Sequence, residues 1–472
     1  MSERRSLWLA TADLPARSPL RSDLDVDVAV VGAGITGLTT ALLLQREGAR
    51  VAVLEARHVG AGTTGGTTGK VTSQHGLLYR SLIDRVGQQR ARAYADANQA
   101  AVRTVRDLAH AMAEGCWLTE APAYAYALGD EMVPELRAEA EAARSLGLPA
   151  TFEATTDLPF AVAGALRFDG QAHLHAVRYL AGLAREVEQG GGAIYEGTRV
   201  LGVEEHDEGV VLVTEGGRVR ARWAVIATLL PIADRGGFFA KARPTRSYGI
   251  AVTTGDEPPA GMHISVDGPT RSTRPWRDGD RHGVVVVGEG HPTGQEDATP
   301  ARWGELERWA RTHFDVQQIT HRWSAQDYAT VDGIPYVGRS PRTQHVLVAT
   351  GFHKWGLTNG TAAASVLADL VAGRESPWAT VFDATRIGDA AAVKDLVKEN
   401  LGVGADMLKG WVRRVRAGAL DDLAPGEGAI VDAGGTVVAA YRAASGELHA
   451  VSATCTHMGC TVQLNRAEAT WD

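Results

Sequence analysis

The sequence predicts an α/β protein, α+β overall, in which a parallel sheet carries an inserted antiparallel sheet and is followed by a strand-rich tail. Three features predict this architecture: an apolar run before a glycine-rich turn, short alternating segments at residues 246–329, and a change of composition near residue 376. Parallel strands covered on both faces read as continuous apolar runs, whereas strands with one exposed face alternate.

The first glycine turn lies between two predicted strands. Residues 26–31 are nearly all apolar, and Gly32, Gly34 and Gly37 follow with G-x-G-x-x-G spacing. These glycines permit a tight turn, close approach of a pyrophosphate to the backbone, and close packing of helix on strand. The second strand ends at Glu55, whose carboxylate would bind ribose hydroxyls. A lone glycine triplet is weak evidence, but with these flanking elements it predicts a Rossmann-like dinucleotide site.

A Gly/Thr-rich loop and a second glycine turn favour FAD over a nicotinamide. Nine of the twelve residues from Gly60 to Val71 are Gly or Thr, which offers many N–H groups and hydroxyls. The alternative is a flexible surface loop. Within residues 345–373, a second glycine turn precedes a helix expected to begin near Thr358 or Asn359, whose N-terminus would favour an anion. Two such turns, far apart in the chain, fit one extended cofactor.

The pieces together resemble the FAD-dependent oxidoreductases of the D-amino-acid oxidase superfamily, which includes glycine, sarcosine and γ-glutamylputrescine oxidases. The matching segments are "VVGAGITGL" with Glu55, "GTTGGTTGKVTSQHG", "AVIAT", "DGIPYVGR" and "GFHKWGLTNG". The matching segments span residues 26 to about 373, and the resemblance implies one flavoenzyme unit at residues 1–375. It implies FAD-binding segments at 24–105, 155–245 and 330–375, and substrate-domain segments at 106–154 and 246–329.

The resemblance implies a set of cofactor contacts along these segments, with Val200 beside the adenine. The predicted FAD-binding residues are Gly32, Ala33, Gly34, Ile35, Thr36, Gly37, Glu55, Ala56, Arg57, Thr64, Gly65, Thr67, Thr68, Val200, Thr228, Gly351, Phe352, Gly356, Leu357, Thr358 and Asn359.

Catalytic residues are harder to predict, because oxidation of a C–N bond requires a neutral amine in a dry pocket and no dedicated strong base. His353 and Lys354 are the preferred candidates, since they interrupt the second glycine turn; the alternative is that they only pack or hydrogen-bond the backbone. Tyr248, His75 and Arg246 are weaker catalytic candidates, for which structural roles are the alternative. Three tryptophans of the substrate segments, Trp276, Trp303 and Trp323, are predicted to lie in the core.

The tail is predicted to consist of a helical linker at 376–415 and an incomplete Rieske-like domain at 416–472. Its "CTHMGC" segment resembles the first ligand pair of a Rieske centre, in which two cysteines bind one iron and two histidines the other. Cys455 and His457 match that pair, but no further cysteine follows Cys460. We therefore expect a truncated protein or a lost cluster, with [2Fe–2S] only if the chain continues beyond Asp472. An accidental motif, and zinc lacking a fourth ligand, are the alternatives.

The leading functional hypothesis is an FAD-dependent amine or amino-acid dehydrogenase or oxidase that converts a C–N bond to an imine. Electrons would leave through a Rieske cluster in a full-length protein, or pass to oxygen or an external acceptor such as a ferredoxin-like protein or a quinone. The alternatives are an NAD-dependent dehydrogenase, an electron-transfer flavoprotein without an amine substrate, and an RNA-modifying enzyme on the same fold.

Composition excludes several other classes of protein. The net charge of −8 argues against nucleic acid as a partner, and no apolar run reaches the roughly 20 residues of a membrane span. The N-terminus lacks a secretory apolar region, and three cysteines in 472 residues do not make a disulfide framework. A cytoplasmic location is therefore expected.

Overall fold

A computed structural model describes residues 4–112, 114–293, 299–386, 415–416, 420, 423–432, 436–454, 462–466 and 468–471. The predicted iron ligands Cys455 and His457, together with Cys460, lie outside these residues, as does most of the predicted helical linker. Within the described part of the chain, no helix combines the length and apolar character needed to cross a membrane.

The helices are α1 (Leu7–Ala10), α2 (Ile35–Arg46), α3 (Tyr79–Val86), α4 (Gln88–Ala111), α5 (Val133–Ser145), α6 (Ala176–Gln189), α7 (Phe238–Lys241), α8 (Thr299–His313), α9 (Gly356–Val371) and α10 (Ala379–Phe382), with 3₁₀ turns at Thr63–Gly66 and Asp130–Met132.

The strands are β1 (Leu24–Val31), β2 (Val51–Leu54), β3 (Lys70–Val71), β4 (Thr119–Glu120), β5 (Ala123–Ala127), β6 (Ala150–Glu153), β7 (Gly164–Phe168), β8 (Ala172–His173), β9 (Ala193–Tyr195), β10 (Val200–His206), β11 (Gly209–Thr214), β12 (Arg218–Ile226), β13 (Ala242–Thr254), β14 (Met262–Ser265), β15 (Arg271–Asp278), β16 (Arg281–Pro292), β17 (Val316–Thr330), β18 (Tyr336–Arg339), β19 (Val346–Thr350), β20 (Val415–Arg416), β21 (Gly428–Asp432), β22 (Val437–Arg442), β23 (Leu448–Ser452), β24 (Leu464–Asn465) and β25 (Thr470–Trp471).

The first sheet has a parallel centre in the order β9-β2-β1-β12-β19. The second halves of β1 and β12 are fully buried, as a strand covered on both faces requires. Helices α2 and α9 pack against each other, and their apolar side chains join the same core as those of α6 on one side of the sheet. The antiparallel strands β10, β11 and β12 form a meander, with the Gly216-Gly217 turn between the last two.

The second sheet has the order β17-β13-β16-β15-β14-β5-β7-β6 and is antiparallel except where β14 pairs with β5. It contains the alternating segments predicted within residues 246–329. Strand β7 also belongs to this sheet, because it pairs with β5 and β6. The prediction that assigned residues 155–245 to the cofactor part is therefore wrong for β7. The sequence analysis also missed α8, which packs on β13, β16 and β17.

The two faces of the second sheet bury different clusters. On one face, Tyr248 and Ile250 of β13 pack with Trp303 of α8. On the other face, Trp276 and Trp323 pack with residues of α1. All three tryptophans are buried, as predicted. The sheet is therefore covered on both sides at its β13–β17 end, with α8 outside and the cofactor part of the chain inside.

The described part of the tail is strand-rich, as predicted. Strands β20 to β23 form a four-stranded sheet in sequence order, and β24 and β25 form a hairpin. Val462 and Trp471, near the two ends of that hairpin, pack against Ile430 and Ala439 of the sheet. The hairpin is thus held against the tail sheet by a small apolar core of its own.

Candidate functional site

One cavity of about 650 Å³ contacts both glycine turns. Its walls come from the carboxyl ends of β1, β2 and β12, from the Gly/Thr loop, from β13 and β17, and from the segment that leads into α9. The predicted FAD-binding residues that line it are Gly32, Ala33, Gly34, Ile35, Thr36, Glu55, Ala56, Arg57, Thr64, Thr67, Thr68, Val200, Thr228, Phe352, Gly356 and Leu357. The structure therefore brings together residues from opposite ends of the flavoenzyme unit.

The first glycine turn has no room for side chains. Gly32 has φ +105°, and a Cβ atom there would lie 2.6 Å from the Ala227 carbonyl oxygen. A Cβ atom on Gly37 would lie 1.9 Å from the Gly32 carbonyl oxygen, which explains why Gly37 supports the turn without lining the cavity. Helix α2 begins at Ile35, and both Ile35 and its cap residue Gly34 line the cavity. Because Gly34 has no side chain, the positive N-terminal end of the helix is open to the cavity. This cradle fits a pyrophosphate.

Glu55 is fixed at the end of β2 by two backbone groups. Its Oε2 accepts a hydrogen bond from the Ala33 N–H at 2.9 Å, and its Oε1 accepts one from the Arg57 N–H at 2.8 Å. A carboxylate has about four acceptor positions, so each oxygen keeps capacity for a further donor. The half-buried carboxylate lines the cavity and suits a ligand that carries hydroxyl groups.

The Gly/Thr loop is anchored to β17, so the alternative of a flexible loop is wrong. The Thr63 hydroxyl donates to the Gln326 carbonyl at 2.6 Å, and the Trp323 indole donates to the Gly66 carbonyl at 2.8 Å. Gly65 is a buried residue of the loop itself, where a Cβ atom would lie 2.1 Å from the Gly60 carbonyl oxygen. Gly65 therefore shapes the loop but does not line the cavity.

Two buried basic side chains hold the end of this loop, and neither role was predicted from the sequence. The Arg274 guanidinium donates to the carbonyls of Thr68 at 2.5 Å and Leu174 at 2.8 Å. Lys70 Nζ donates to the His263 carbonyl and the Ser272 hydroxyl, each at 2.7 Å. Burial lowers the pKa of Arg274 to about 9 and that of Lys70 well below its usual range. Their hydrogen bonds fix the loop where it turns away from the cavity.

The second glycine turn is strained at two residues with side chains. Gly351, His353 and Lys354 have φ values of +79°, +52° and +68°, a region in which non-glycine residues are uncommon. Helix α9 begins directly after, at Gly356, which is earlier than predicted. Thr358 and Asn359 therefore lie in its buried first turn and do not line the cavity, and neither does Gly351.

Asp327 holds this strained turn, although the sequence analysis did not single it out. Its carboxylate accepts the backbone N–H groups of Lys354 and, at 2.8 Å, of Tyr328. It is 6% exposed and lines the cavity beside Lys354. Burial raises the pKa of Asp327 to about 6, against the opposing effect of the Lys354 and Tyr328 N–H groups. The feature of the sequence that could have identified Asp327 is a carboxylate within a predicted strand.

The three candidate catalytic residues are placed differently. Lys354 lines the cavity, whereas His353 lies next to it and its N–H donates to the Tyr328 carbonyl at 3.0 Å. Both residues are exposed, yet desolvation by the surrounding protein lowers the pKa of each. For His353 the positive charge of Lys354 lowers the pKa further.

The structure does not bring Tyr248 to the cavity, which corrects the prediction. Side chains alternate along a strand, and it is Thr245 and Ser247 of β13 that line the cavity. Tyr248 is fully buried on the opposite face, where its hydroxyl lies 3.0 Å from His291 Nε2 and its ring packs against Trp303. The sequence alone did not reveal which face of β13 points inward.

His75 has a structural role. Its Nε2 lies 3.0 Å from the Thr72 carbonyl and 3.1 Å from the Thr358 hydroxyl, and its ring stacks on Trp355. The Nδ1 atom lies 2.8 Å from the Tyr94 hydroxyl. Burial lowers the pKa of His75 to about 3, so the ring is neutral at physiological pH. It joins the first turn of α9 to the segment that follows the Gly/Thr loop.

Comparison with protein families gives two matches. A model described as FAD dependent oxidoreductase (DAO) matches residues 27–370, and a model of the Rieske [2Fe-2S] domain matches residues 413–471. The first match covers most of the chain and contains every residue that lines the cavity. It decides against a nicotinamide dehydrogenase.

Among the described residues, no group of three or more His, Cys, Asp or Glu could hold a metal ion.

Two curated relatives extend the comparison. The chain is 34% identical over 467 residues to YhfW of Bacillus subtilis, named provisionally as a Rieske 2Fe-2S iron-sulfur protein, covering 98% of this chain and 92% of the relative. It is 26% identical over 374 residues to glycine oxidase of Geobacillus kaustophilus, covering 76% and 94%.

Solved structures show the same fold. The crystal structure of glycine oxidase from Geobacillus kaustophilus superposes with a TM-score of 0.65 at 22% identity, covering 77% of this chain and 99% of that one. L-proline dehydrogenase from P. horikoshii gives 0.62 at 17% identity, covering 78% and 98%. The chain therefore belongs to the DAO family of FAD-dependent oxidoreductases and carries a C-terminal Rieske domain.

Proposed function

We propose that the enzyme oxidises the C–N bond of a small amine or amino acid to an imine, using FAD bound in the cavity between the two glycine turns. The observation that carries this proposal is the single cavity that both turns line. Relatives named glycine oxidase and gamma-glutamylputrescine oxidoreductase support an amino compound as the substrate. FAD, when bound, supplies a ring that accepts the hydride equivalent.

The chain's own residues suggest how the cofactor would lie. The pyrophosphate would be held at the N-terminus of α2, with Glu55 on the adenosine ribose and Val200 beside the adenine. The Thr64–Thr68 loop would follow the ribityl chain. The ring would then lie near Phe352 and Leu357, where the positive end of α9 favours negative charge.

At this end of the cavity, Lys354 would control the charge of the substrate. A positive group next to an amine disfavours the ammonium form, so the Lys354 side chain would promote the neutral amine that oxidation requires. Asp327 would act as a positioning residue, because it accepts the Lys354 N–H and fixes the turn that carries the lysine. Thr245 and Ser247 of β13 would border the substrate.

The Rieske tail suggests the route by which electrons would leave the reduced flavin. Rieske centres carry single electrons, which suits a dehydrogenase better than an oxidase. We therefore propose that electrons leave the flavin through the Rieske domain, which the family model matches at residues 413–471. Where no cluster is present, oxygen or an external acceptor such as a ferredoxin-like protein or a quinone would take that role.

Anaerobic reduction of the purified protein tests the proposal. Glycine, L-proline and γ-glutamylputrescine would be added separately, and the flavin absorbance near its visible maximum followed, with iron assayed on the same sample. Glycolate, which has a hydroxyl in place of the amine of glycine, is the matched negative control. Bleaching by an amine but not by glycolate is expected. A flavin that dithionite reduces, but that no amine bleaches, would favour an electron-transfer flavoprotein.

A further inference from the structure

A polar turn in the described part of the tail contacts the flavoenzyme part. Glu468 lies in the turn between β24 and β25, and its Oε2 is 3.2 Å from Arg246 Nη1 of β13. Its Oε1 accepts the backbone N–H of Ser324 on β17. One carboxylate of the tail thus bridges two neighbouring strands of the second sheet.

The surroundings of Arg246 and Glu468 favour this contact. The Arg246 side chain is 9% exposed and the Glu468 side chain 23%, so the pair is largely shielded from water. Arg246 Nη1 also donates to the Ser324 hydroxyl at 2.8 Å, which orients the guanidinium toward the tail. A shielded, hydrogen-bonded ion pair is weakened little by solvent and specifies geometry better than an exposed one.

The contact also covers a sheet edge. Strand β17 stands at the end of the second sheet, where it pairs with β13. Edge strands present backbone groups that could pair with other chains, and folds often cover them with a loop or charged residues. The Glu468 carboxylate satisfies one such N–H group of β17.

The same short stretches of chain line the cavity. Thr245 and Ser247 flank Arg246 on β13, and Ala325 and Gln326 follow Ser324 on β17. The sheet is a single layer of strands at this point. A turn that binds β13 and β17 therefore lies one strand layer from the proposed flavin site.

We propose that the Glu468 turn is the docking contact that seats the Rieske part on the β13–β17 edge of the second sheet, directly behind the cavity. The occupant of this surface is the tail of the same chain. That the docked tail takes electrons from the flavin rests on the proposed function, whereas the docking itself does not.

Hydrogen exchange of the 472-residue chain, followed by mass spectrometry, tests the docking. Glu468→Gln keeps the size of the side chain but loses its charge, and Glu468→Ala loses the hydrogen bond as well. Peptides that contain Ser324 are expected to exchange faster in the order wild type, Glu468→Gln, Glu468→Ala, by about tenfold at the Ser324 amide in the last. Glu447→Gln, an exposed tail carboxylate, is the matched control and should exchange like the wild type.

Failure of the docking proposal and failure of the proposed function would give different results. Unchanged exchange at Ser324 in both Glu468 variants would overturn the docking proposal, provided that their flavin spectra show intact folding. If instead no amine reduces the wild-type flavin, the proposed function fails, while the exchange comparison still decides where the tail is seated. Anaerobic flavin reduction by an amine should be the same in Glu468→Ala as in the wild type, because Glu468 does not line the cavity.

Discussion

Asp327 accepts the backbone N–H of Lys354, so a buried carboxylate on β17 holds the strained turn that leads into α9. The two residues line the same end of the cavity. This hydrogen bond connects the second sheet to the second glycine turn.

Asp327→Asn should change how stability depends on pH. The folded-state pKa of Asp327 is raised to about 6 from 3.8, so the folded protein binds this proton more tightly than the unfolded chain. Ionisation therefore removes stability as pH rises from about 4 to about 6, up to about 3 kcal/mol, with no further change above. The stability of wild type relative to Asp327→Asn should fall across that window. Urea unfolding at pH 4.5, 6.0 and 7.5 checks this, and a difference that rises with pH would contradict it.

Lys354→Met should shift the pH profile of flavin reduction. Removing the positive charge raises the pKa of the bound amine, so the half-maximal rate should move to higher pH. Lys354→Arg keeps the charge and should stay near the wild-type midpoint. Anaerobic stopped-flow measurements between pH 6 and 10 provide the comparison. A midpoint that is the same in all three proteins would show that Lys354 does not act on the amine.

Gly37→Ala should abolish FAD binding. The added Cβ atom would lie 1.9 Å from the Gly32 carbonyl oxygen, so the glycine turn cannot keep its shape. Gly304→Ala is the control, because that exposed position in α8 has open space and the substitution should stabilise the helix by about 0.5–1 kcal/mol. FAD released by heat, measured per chain, separates the two variants. Full FAD content in Gly37→Ala would be inconsistent with the proposed pyrophosphate site.

Tyr248→Phe should leave flavin reduction by an amine nearly unchanged. The hydroxyl faces His291 on the side of the sheet away from the cavity, so its loss should cost stability of about 1 kcal/mol and little activity. Denaturant unfolding and stopped-flow reduction of the same preparation measure both effects. A fall of a hundredfold in the reduction rate would restore the tyrosine as a catalytic candidate.

Local patterns predicted the parts of the site that depend on neighbours in sequence. The Gly32–Gly37 turn, Glu55 and the Gly/Thr loop are each encoded within a few dozen residues, and the structure places them around the cavity as expected. The prediction for Tyr248 failed because a shift of one residue in a strand exchanges its two faces, and the sequence did not reveal that register.

Contacts between distant segments were beyond the sequence analysis. Asp327 meets Lys354, and Arg246 meets Glu468, only because strands far apart in the chain pair in one sheet. Strand β7 was misassigned for the same reason, since its partners β5 and β6 precede it across a connection that carries no signal of sheet membership. These contacts depend on how distant segments pair in the folded chain, and local composition does not reveal that pairing.

The most direct test of the claim that FAD binds between the two glycine turns is the electron density of a crystal grown from the purified protein. The account predicts one FAD per chain, with its adenosine ribose on Glu55, its pyrophosphate at the N-terminus of α2, and its ring between β13 and the Phe352–Leu357 segment. A nicotinamide dinucleotide in the cavity, or a flavin whose ring lies away from Lys354, would contradict it.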